Sequence, residues 1–266
     1  VCAKATSRGI RVTGSELVGL IPLKAMLDAG KYFLVKQQRS TGVSEKELIK
    51  IAIKSMGLDE LSPFNPAERI IEYMLAEKSD SKLVNMTLTD FADETASESP
   101  APGGGSIAAY VGSLGISLAT MVANLSSHKP GWDDRWKEFS DWAEQGEQYK
   151  NELTKLVDAD TRAFNQIMSA FGLPKGNDTE KALRTKAIQV ATKYAIEIPF
   201  KVMETAYNSM QVIKAMAETG NPNSVSDAGV GALCARSAVM GAFMNVRINA
   251  AGFDDIDFGN AFIAQG

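Results

Sequence analysis

The sequence predicts a mainly α-helical protein, an antiparallel bundle of long helices preceded by a small segment of mixed α/β character. Beyond residue 84, apolar residues recur at helical spacing over long segments joined by short turns, which is typical of helix bundles. Before residue 77, short apolar runs alternate with turn residues, and a polar run then separates the two regions. We therefore predict an α/β segment over residues 1–77, a linker over 78–83 and an all-α domain over 84–266.

The composition is that of a globular protein, with 45% hydrophobic residues and a formal net charge of −4. This acidic balance argues against a nucleic-acid-binding surface. We expect no membrane span, because the most apolar stretch, residues 107–125, also carries small and hydroxyl residues. Two widely separated cysteines and one histidine predict neither a disulfide framework nor a zinc site, and they favour a reducing, cytoplasmic location.

In the N-terminal segment the clearest signal is a capping box. Ser44 and Glu47 have the spacing with which the two side chains of a capping box satisfy backbone N–H groups at a helix start, and Gly57 is a suitable helix end. The other elements predicted here are strands over residues 10–12 and 69–75 and a helix over residues 16–36.

The all-α domain is predicted from apolar periodicity interrupted by proline and glycine. Residues 99–106 combine two prolines with three successive glycines, so we predict that they are not helical. Pro199 lies inside a long periodic segment, where we expect a kink. Helices are predicted over residues 87–96, 107–127, 132–170, 178–218 and 224–251.

Asp160 is the candidate proton-transfer group, because it occupies one position in a stripe of apolar residues on the third long helix. A carboxylate in apolar surroundings has a raised pKa, which suits a general acid and base near neutral pH. Asp158 is rotated from Asp160 by about 200°, so we predict that it is solvated. The alternative for Asp160 is a structural hydrogen bond to a neighbouring helix. The stripe consists of Leu153, Val157, Asp160, Phe164, Ile167 and Phe171.

The last long helix carries a second stripe, of small residues between two polar ones. Small side chains allow another helix backbone to approach closely. The first polar residue, Asp227, is either an early-turn acid favoured by the helix dipole or a ligand contact. The last one, Asn245, either clips helices together or binds a polar ligand. The stripe reads Asp227, Gly231, Cys234, Ala238, Gly241 and Asn245.

Three further features are candidates for ligand contact, and each also has a purely structural interpretation. Residues 103–106, Gly-Gly-Gly-Ser, can present free backbone N–H groups to an anion, or they form a flexible turn with Ser106 as a helix cap. Lys175 and Lys201 can bind carboxylates, or they are solvated surface charges.

Several stretches resemble the bifunctional formiminotransferase-cyclodeaminase family in both order and spacing. Those similar to the cyclodeaminase domain are Ser99-Pro-Ala-Pro-Gly-Gly-Gly-Ser106, Leu156-Val-Asp-Ala-Asp-Thr-Arg-Ala-Phe164, Gly172-Leu-Pro-Lys175 and Asn245-Val-Arg-Ile-Asn249. Those similar to the end of the formiminotransferase domain are Thr13-Gly-Ser-Glu-Leu-Val-Gly-Leu-Ile-Pro-Leu-Lys24, Thr41-Gly-Val-Ser-Glu-Lys-Glu-Leu48 and Pro66-Ala-Glu-Arg-Ile-Ile-Glu-Tyr73.

The resemblance implies a cyclodeaminase-like helical fold and an ammonia-lyase reaction. In that reaction 5-formimidoyltetrahydrofolate closes to 5,10-methenyltetrahydrofolate and releases ammonia, in histidine degradation and one-carbon metabolism, with no metal or redox cofactor. The family uses an aspartate of the Asp-Ala-Asp stretch as proton acceptor, and the apolar stripe selects Asp160. The lysines would suit the carboxylates of a polyglutamylated folate. The implied folate contacts are Gly104, Gly105, Ser106, Lys175, Lys201, Asp227 and Asn245.

The resemblance also implies a longer polypeptide with glutamate formiminotransferase activity. That activity depends on a histidine of an N-terminal subdomain to which His128 does not correspond, so we do not expect it from residues 1–266 alone. The chain begins without Met, and we read it as a piece that starts within a domain. We also expect residues 253–266, Gly-rich and acidic, to end the cyclodeaminase domain early, where the family continues with a further helix.

Two alternatives to a cyclodeaminase follow from the same residues. One is a methenyltetrahydrofolate cyclohydrolase on the same fold, and the other is a non-catalytic helical module that oligomerises the transferase. In each case we expect a homo-oligomer with dimer contacts through the helical domain, since its helices are rich in methionine and small residues.

Overall fold

The computed structural model describes residues 2–12, 15–75 and 83–266. Within them the chain is mainly helical, as predicted. Three short 3₁₀ helices span Leu83–Asn85, Asp133–Arg135 and Pro222–Ser224. The α-helices are α1 (Cys2–Thr6), α2 (Leu23–Lys36), α3 (Glu45–Met56), α4 (Pro66–Arg69), α5 (Ile71–Leu75), α6 (Leu88–Ala96), α7 (Gly104–Ser127), α8 (Trp136–Phe171), α9 (Asp178–Thr219), α10 (Val225–Ala250) and α11 (Ile256–Gln265).

The chain divides into two compact units. Unit 1 comprises Val1–Ser79 with Ser126–Glu144, and unit 2 comprises Asp80–Leu125 with Gln145–Gly266. The linker predicted over residues 78–83 lies outside the described residues except for Leu83, which begins a 3₁₀ helix. The domain boundaries proposed from the sequence therefore stay a prediction.

Unit 1 is helical in its described residues, and the predicted α/β character is not confirmed. Residues 10–12 form no strand, and residues 69–75 form the end of α4 and all of α5. The pairing that remains is one isolated parallel bridge between Ile21 and Ile70. Short runs with apolar residues are ambiguous between strand and helix, and here Asn65 caps a helix by accepting the Ala67 N–H. The helix predicted over residues 16–36 begins only at Leu23, because Pro22 is its N-cap.

In unit 1 the Ser44 half of the predicted capping box determines where α3 starts, whereas the Glu47 carboxylate pairs with Lys50. Ser44 is the N-cap of α3, and its Oγ accepts the Glu47 N–H. Gly57 ends the helix in the left-handed conformation, at φ 65°. The apolar face of α3 then packs on α2 around Met26, Ile49 and Ile53.

Unit 2 is an antiparallel arrangement of four long helices, which follows from the order of their contacts. Between α7 and α8, Ser106 meets Asp160 and Ser113 meets Thr154, so residue numbers rise on one helix as they fall on the other. Between α8 and α9, Phe171 meets Arg184 and Glu152 meets Lys201. Between α9 and α10, Ala195 meets Asn249.

Helix α10 also packs antiparallel to α7, through glycine. A Cβ on Gly115 would lie 2.8 Å from Gly231 O, and a Cβ on Gly231 would lie 2.7 Å from Gly115 O. The two backbones are therefore in direct contact, as the small-residue stripe of the last long helix predicts.

Two predictions for the helices of unit 2 require correction. Helix α7 begins at Gly104, three residues before the predicted start, so Gly104, Gly105 and Ser106 form its first turn. Residues 253–266 do not end as irregular chain, because Ile256–Gln265 form α11, whose N-cap Asp255 accepts the Phe258 N–H. Aromatic side chains of this C-terminal segment, Phe253, Phe258 and Phe262, pack on Ile196, Val246 and Ala250.

Two helices in the described part of the chain are long and apolar enough to cross a membrane. They are Gly104–Ser127 and Pro222–Ala250, and 61% and 28% of their most apolar windows are buried inside the protein. Core helices of soluble proteins pass the same test, so this finding does not establish a membrane span.

Candidate functional site

A small cavity in unit 2 brings together the first turn of α7, the middle of α8 and the C-terminal part of α10. Its volume is about 120 Å³. We call it the Asp160 pocket, and its lining residues are Pro100, Ala101, Gly103, Gly104, Gly105, Asp160, Thr161, Ala163, Phe164, Ile167, Ala195, Asn245 and Asn249.

The carboxyl group of Asp160 is held by Ser106. Ser106 Oγ lies 3.0 Å from Asp160 Oδ2 and 2.9 Å from the carbonyl oxygen of Val157. The Ser106 side chain is fully buried, whereas Asp160 is partly exposed to the pocket. A second hydroxyl, Thr161 Oγ1, lies 3.3 Å from Ser106 Oγ.

These two distances allow Ser106 to serve both protonation states of Asp160. A hydroxyl has one hydrogen to donate and can also accept. When Asp160 is ionised, Ser106 Oγ–H donates to its carboxylate. When Asp160 is protonated, the carboxyl O–H donates to Ser106 Oγ, which then donates to the Val157 carbonyl. The carboxyl group can therefore gain or lose a proton without leaving a buried polar atom unsatisfied.

Burial raises the pKa of Asp160 above its ordinary value of 3.8. Hydrogen bonds donated by the Ser106 hydroxyl and by the Ser106 backbone N–H act in the opposite direction, and burial is the larger effect. A carboxyl group whose pKa is raised towards neutrality is suited to accept a proton and return it within one reaction cycle.

Gly105 allows the carboxyl group to sit against the start of α7. A Cβ on Gly105 would lie 2.1 Å from Asp160 Oδ1 and 2.6 Å from Asp160 Cγ, so any larger residue would displace the carboxyl group. As Gly104, Gly105 and Ser106 form the first helical turn, their N–H groups have no acceptor within the helix. The glycines thus place a carboxylate at a positive helix end.

Two asparagines of α10 complete the polar side of the pocket. Asn245 donates from Nδ2 to the carbonyl of Gly241, one turn earlier on the same helix, at 2.9 Å. Asn249 donates from Nδ2 to the carbonyl of Ala195 on α9, at 2.6 Å. Both residues line the pocket, and each carboxamide is anchored by a hydrogen bond to a backbone carbonyl.

The solvated position predicted for Asp158 is wrong. Its side chain is buried, with 5% of its surface exposed, and Oδ1 accepts the backbone N–H of Leu83 at 3.0 Å. The 3₁₀ helix that begins at Leu83 covers this face of α8. Asp158 therefore has a structural role, and it does not line the Asp160 pocket.

The apolar stripe that singled out Asp160 is only partly buried. Leu153 and Val157 are buried, but Phe164 is 36% exposed and Phe171 is 49% exposed. Asp160 lies where the stripe passes from the buried core to the pocket wall. The predicted continuous packed stripe was therefore wrong.

Four residues named as folate contacts from the sequence do not line the Asp160 pocket: Ser106, which is fully buried and bonds to Asp160, and Lys175, Lys201 and Asp227. Lys175 is exposed in the segment after α8. Lys201 pairs instead with Glu152 of α8, at 2.8 Å between Nζ and Oε1. The structure does bring Gly104, Gly105, Ser106 and Asn245 to Asp160, and the ligand contacts of the whole set remain predictions.

The sequence-based selection omitted Thr161 and Asn249, both of which line the pocket. Thr161 directly follows Asp160 in the sequence. A hydroxyl residue next to a candidate acid could have been selected as a site residue on that ground. Asn249 lies four residues after Asn245, which is about one helical turn. The two side-chain amides therefore lie on the same face of the helix.

A larger, open groove of about 710 Å³ runs along another part of α8 and α9. Its walls are mostly apolar with two cations, Arg162 and Lys186, and the described residues that line it include no carboxylate. It therefore offers no proton acceptor, and the smaller Asp160 pocket is the candidate active site.

Comparisons with known families cover nearly the whole chain. The family profile described as "Formiminotransferase-cyclodeaminase" matches residues 87–265. The profile described as "Formiminotransferase domain" matches residues 1–76.

Individual relatives agree with these matches. The formimidoyltransferase-cyclodeaminase of Gallus gallus is 39% identical over 97% of this chain and 48% of its own length, and that of Rattus norvegicus is 36% identical over 92% and 46%. The chain thus spans about half the length of these curated relatives. A solved structure of formiminotetrahydrofolate cyclodeaminase from Thermotoga maritima superposes with a TM-score of 0.61 at 28% identity, covering 69% of this chain and 88% of its own.

Proposed function

Because the chain belongs to the formiminotransferase-cyclodeaminase family, we propose that its Asp160 pocket is a cyclodeaminase active site. The reaction would close 5-formimidoyltetrahydrofolate to 5,10-methenyltetrahydrofolate and release ammonia. The observation that carries this proposal is one partly buried carboxyl group with a raised pKa, held by a hydroxyl that accommodates both of its protonation states.

The chemistry needs one proton to be taken and returned. As N10 of the folate bonds to the formimidoyl carbon, the ionised Asp160 removes the N10 proton. In the protonated substrate the formimidoyl nitrogen carries two hydrogens, and Asp160 delivers the third. The bond from carbon to that nitrogen then breaks, ammonia leaves, and carbon remains bonded to N5 and N10. One general acid and base is sufficient for both transfers.

The size of the pocket limits which part of the folate it can hold. Cavities for drug-sized ligands measure about 300–1,000 Å³, whereas the Asp160 pocket measures about 120 Å³. The formimidoyl group and its immediate neighbours would fit, and the rest of the folate would lie outside. Ser106 would set the protonation state of Asp160, Gly104 and Gly105 would allow close approach, and Asn245 would contact a polar group of the folate.

The proposal is tested by incubating the purified chain with 5-formimidoyltetrahydrofolate and following ammonia and the methenyl product together. Equal amounts of the two products are expected. If the folate is consumed by neither this chain nor a longer polypeptide that contains it, the proposal fails. The Asp158→Asn variant is a control that should retain activity, since Asp158 lies away from the pocket.

A second candidate function is hydrolysis of the methenyl group. The methenyltetrahydrofolate cyclohydrolase of Methylorubrum extorquens is 38% identical over 65% of this chain and 84% of its own length. On this alternative water would add to the methenyl carbon with release of one proton, and the hydroxyl proton would pass to N5 as the carbon–N5 bond breaks, which leaves a formyl group on N10. Supplying 5,10-methenyltetrahydrofolate alone separates the two functions, because a cyclodeaminase would leave it as product and a cyclohydrolase would open it.

The N-terminal region is proposed to act only within a longer enzyme. Residues 1–76 match the formiminotransferase profile, so a polypeptide that includes the rest of that domain would also transfer a formimino group from glutamate-derived substrate to folate. Two well-separated cysteines support a reducing cytoplasm as the place of action. Cell fractionation would test the location.

We propose further that unit 2 forms a homo-oligomer through α10. Six large apolar side chains lie exposed along this helix, and four of them recur at intervals of seven, four and four residues: Leu233, Met240, Met244 and Ile248. They follow one face, and only 28% of the most apolar window of this segment is buried. Exposed apolar patches of this kind mark protein interfaces, and a second copy is the expected partner because most soluble oligomers are symmetric homo-oligomers.

A further inference from the structure

Pro199 leaves a carbonyl group of α9 without its usual partner. In an α-helix the carbonyl of residue i accepts the N–H of residue i+4, and proline has no N–H. Pro199 lies inside α9, so the carbonyl of Ala195 has no donor at that position. Ala195 is 4% exposed, and a buried carbonyl without a donor is unfavourable.

Asn249 supplies the missing donor from another helix. Its Nδ2 lies 2.6 Å from the Ala195 oxygen, although 54 positions separate the two residues in sequence. A carbonyl can only accept, so the atom facing it must be the amide nitrogen and the orientation of the carboxamide is fixed. Pro199 thus creates the acceptor that determines how the Asn249 side chain is turned.

The fixed orientation has a consequence for the pocket. Asn249 and Ala195 both line it, and because the carboxamide is planar, fixing Nδ2 also fixes the position of Oδ1. Among the described residues no donor binds Asn249 Oδ1. An acceptor with two lone pairs therefore belongs to a residue that lines the same cavity as Asp160.

We propose that Asn249 Oδ1 accepts a hydrogen bond from the formimidoyl nitrogen of the substrate, and that Pro199 positions it. This inference rests on the proposed cyclodeaminase function. The formimidoyl nitrogen carries hydrogens, whereas the equivalent atom of a formyl group is an oxygen that can only accept. Asn249 would thereby favour the nitrogen compound and disfavour its formyl analogue, because two acceptors facing each other repel. Asn249 is thus a specificity residue, and Pro199 is a positioning residue.

The test compares equilibrium binding of 5-formimidoyltetrahydrofolate and 5-formyltetrahydrofolate. Binding is measured by calorimetry in an Asp160→Asn background, in which turnover is strongly reduced. Removing the acceptor in Asn249→Ala should weaken binding of the formimidoyl compound by about tenfold or more, as expected for loss of a hydrogen bond to a charged donor. Binding of the formyl compound should stay the same or improve.

The second variant, Pro199→Ala, keeps Asn249 and restores an N–H that competes for the Ala195 carbonyl. It should shift the binding ratio in the same direction by a smaller factor, with the helix content unchanged. The matched control is Asn165→Ala, an exposed asparagine of α8 that does not line the Asp160 pocket, and it should leave the ratio unchanged.

Equal loss for both folates in Asn249→Ala, or no loss for either, would overturn the specificity role. An unchanged ratio in Pro199→Ala would overturn the positioning role. These outcomes are distinct from failure of the proposed function, which would appear as absence of ammonia release by the wild-type chain.

Discussion

Ser106 Oγ lies 3.0 Å from Asp160 Oδ2 and 2.9 Å from the Val157 carbonyl, so one buried hydroxyl connects the carboxyl group to the backbone of its own helix. This contact joins the first turn of α7 to the middle of α8. It places the proposed proton acceptor at a helix start, where backbone N–H groups favour its charged form. Burial opposes that preference, and the balance leaves the pKa of Asp160 raised.

The pH dependence of kcat/KM should report this balance. Asp160 must be ionised to accept a proton, so kcat/KM should fall as the pH drops through its pKa, with a midpoint above the ordinary 3.8. In Ser106→Ala the hydroxyl that stabilises the carboxylate is lost, and the midpoint should move to higher pH. The profile is measured from initial rates of ammonia release between pH 4 and 9, a range of roughly five units chosen to bracket usual carboxyl and histidine pKa values.

Ser113→Ala is the matched control for that experiment. Ser113 lies two turns further along α7 and also faces α8, where its hydroxyl meets Thr154 Oγ1 at 2.8 Å. Ser113 does not line the pocket, so the low-pH midpoint of the kcat/KM profile should not change in Ser113→Ala. If the low-pH midpoint shifted equally in Ser106→Ala and Ser113→Ala, a specific role for Ser106 would be contradicted.

Gly105→Ala should disable the pocket by steric displacement. The added Cβ would meet the Asp160 carboxyl group at 2.1 Å, which forces that side chain or the helix start to move. We expect a loss of about 1–3 kcal/mol in unfolding free energy and a fall in kcat of about a hundredfold. Gly229→Ala on α10 is the control, because Gly229 does not line the pocket and its added Cβ would meet nothing within 4 Å. Denaturant unfolding and steady-state kinetics measure both effects, and equal behaviour of the two variants would refute the assignment.

Asp158 and Asp160 should separate cleanly into a structural and a chemical role. Asp158→Ala leaves the Leu83 N–H buried without an acceptor, which costs about 1–3 kcal/mol of stability. Asp158→Asn retains an acceptor oxygen and should lose less. Neither variant should change kcat per folded molecule. The amount of folded protein is measured by a method that does not depend on the active site. A large fall in kcat for Asp158→Asn at full folding would transfer the chemical role to Asp158.

The assembly proposed through α10 predicts a change in mass. Leu233→Glu places a charge in the exposed apolar face and should convert the oligomer to a smaller species in sedimentation experiments. The matched control is Leu183→Glu on α9, since Leu183 and Leu233 are both 63% exposed. A wild-type chain that sediments as a monomer, or equal behaviour of the two variants, would refute this interface.

Much of the helical architecture was accessible from the sequence, because it depends on local rules. Periodic apolar residues located the long helices, and the Ser44–Glu47 capping box located the start of α3. The strand predicted over residues 69–75 failed because a short run of mixed apolar and polar residues fits either structure, and the Asn65 cap decides for helix.

The site was predicted only in part, because its decisive contacts connect residues far apart in the chain. The stripe argument identified Asp160, but nothing in the periodicity of α8 reveals that Leu83 covers Asp158. From the sequence, Pro199 could be predicted to disturb its helix, because proline has no N–H. Its partner, Asn249, could not be inferred, because it reaches the freed carbonyl of Ala195 from another helix.

The Asp160→Asn variant should be folded and at least as stable as the wild type at neutral pH. Burial raises the pKa of Asp160 in the folded state, so its contribution to stability is fully present below the unfolded pKa and is lost as the pH rises through the folded pKa. An amide in its place avoids that loss, and it can still bond to Ser106. Thermal unfolding at pH 7 and below pH 3.8, the ordinary pKa of the aspartate, should show the gain only at the higher pH.

The most direct measurement is therefore the rate at which folded Asp160→Asn releases ammonia from 5-formimidoyltetrahydrofolate. The proposed mechanism predicts a fall in kcat of about a hundredfold or more relative to the wild type, the usual contribution of a general acid and base. Binding of the folate should be largely retained. Ammonia release at the wild-type rate by this variant would contradict the assignment of Asp160 as the proton-transfer group.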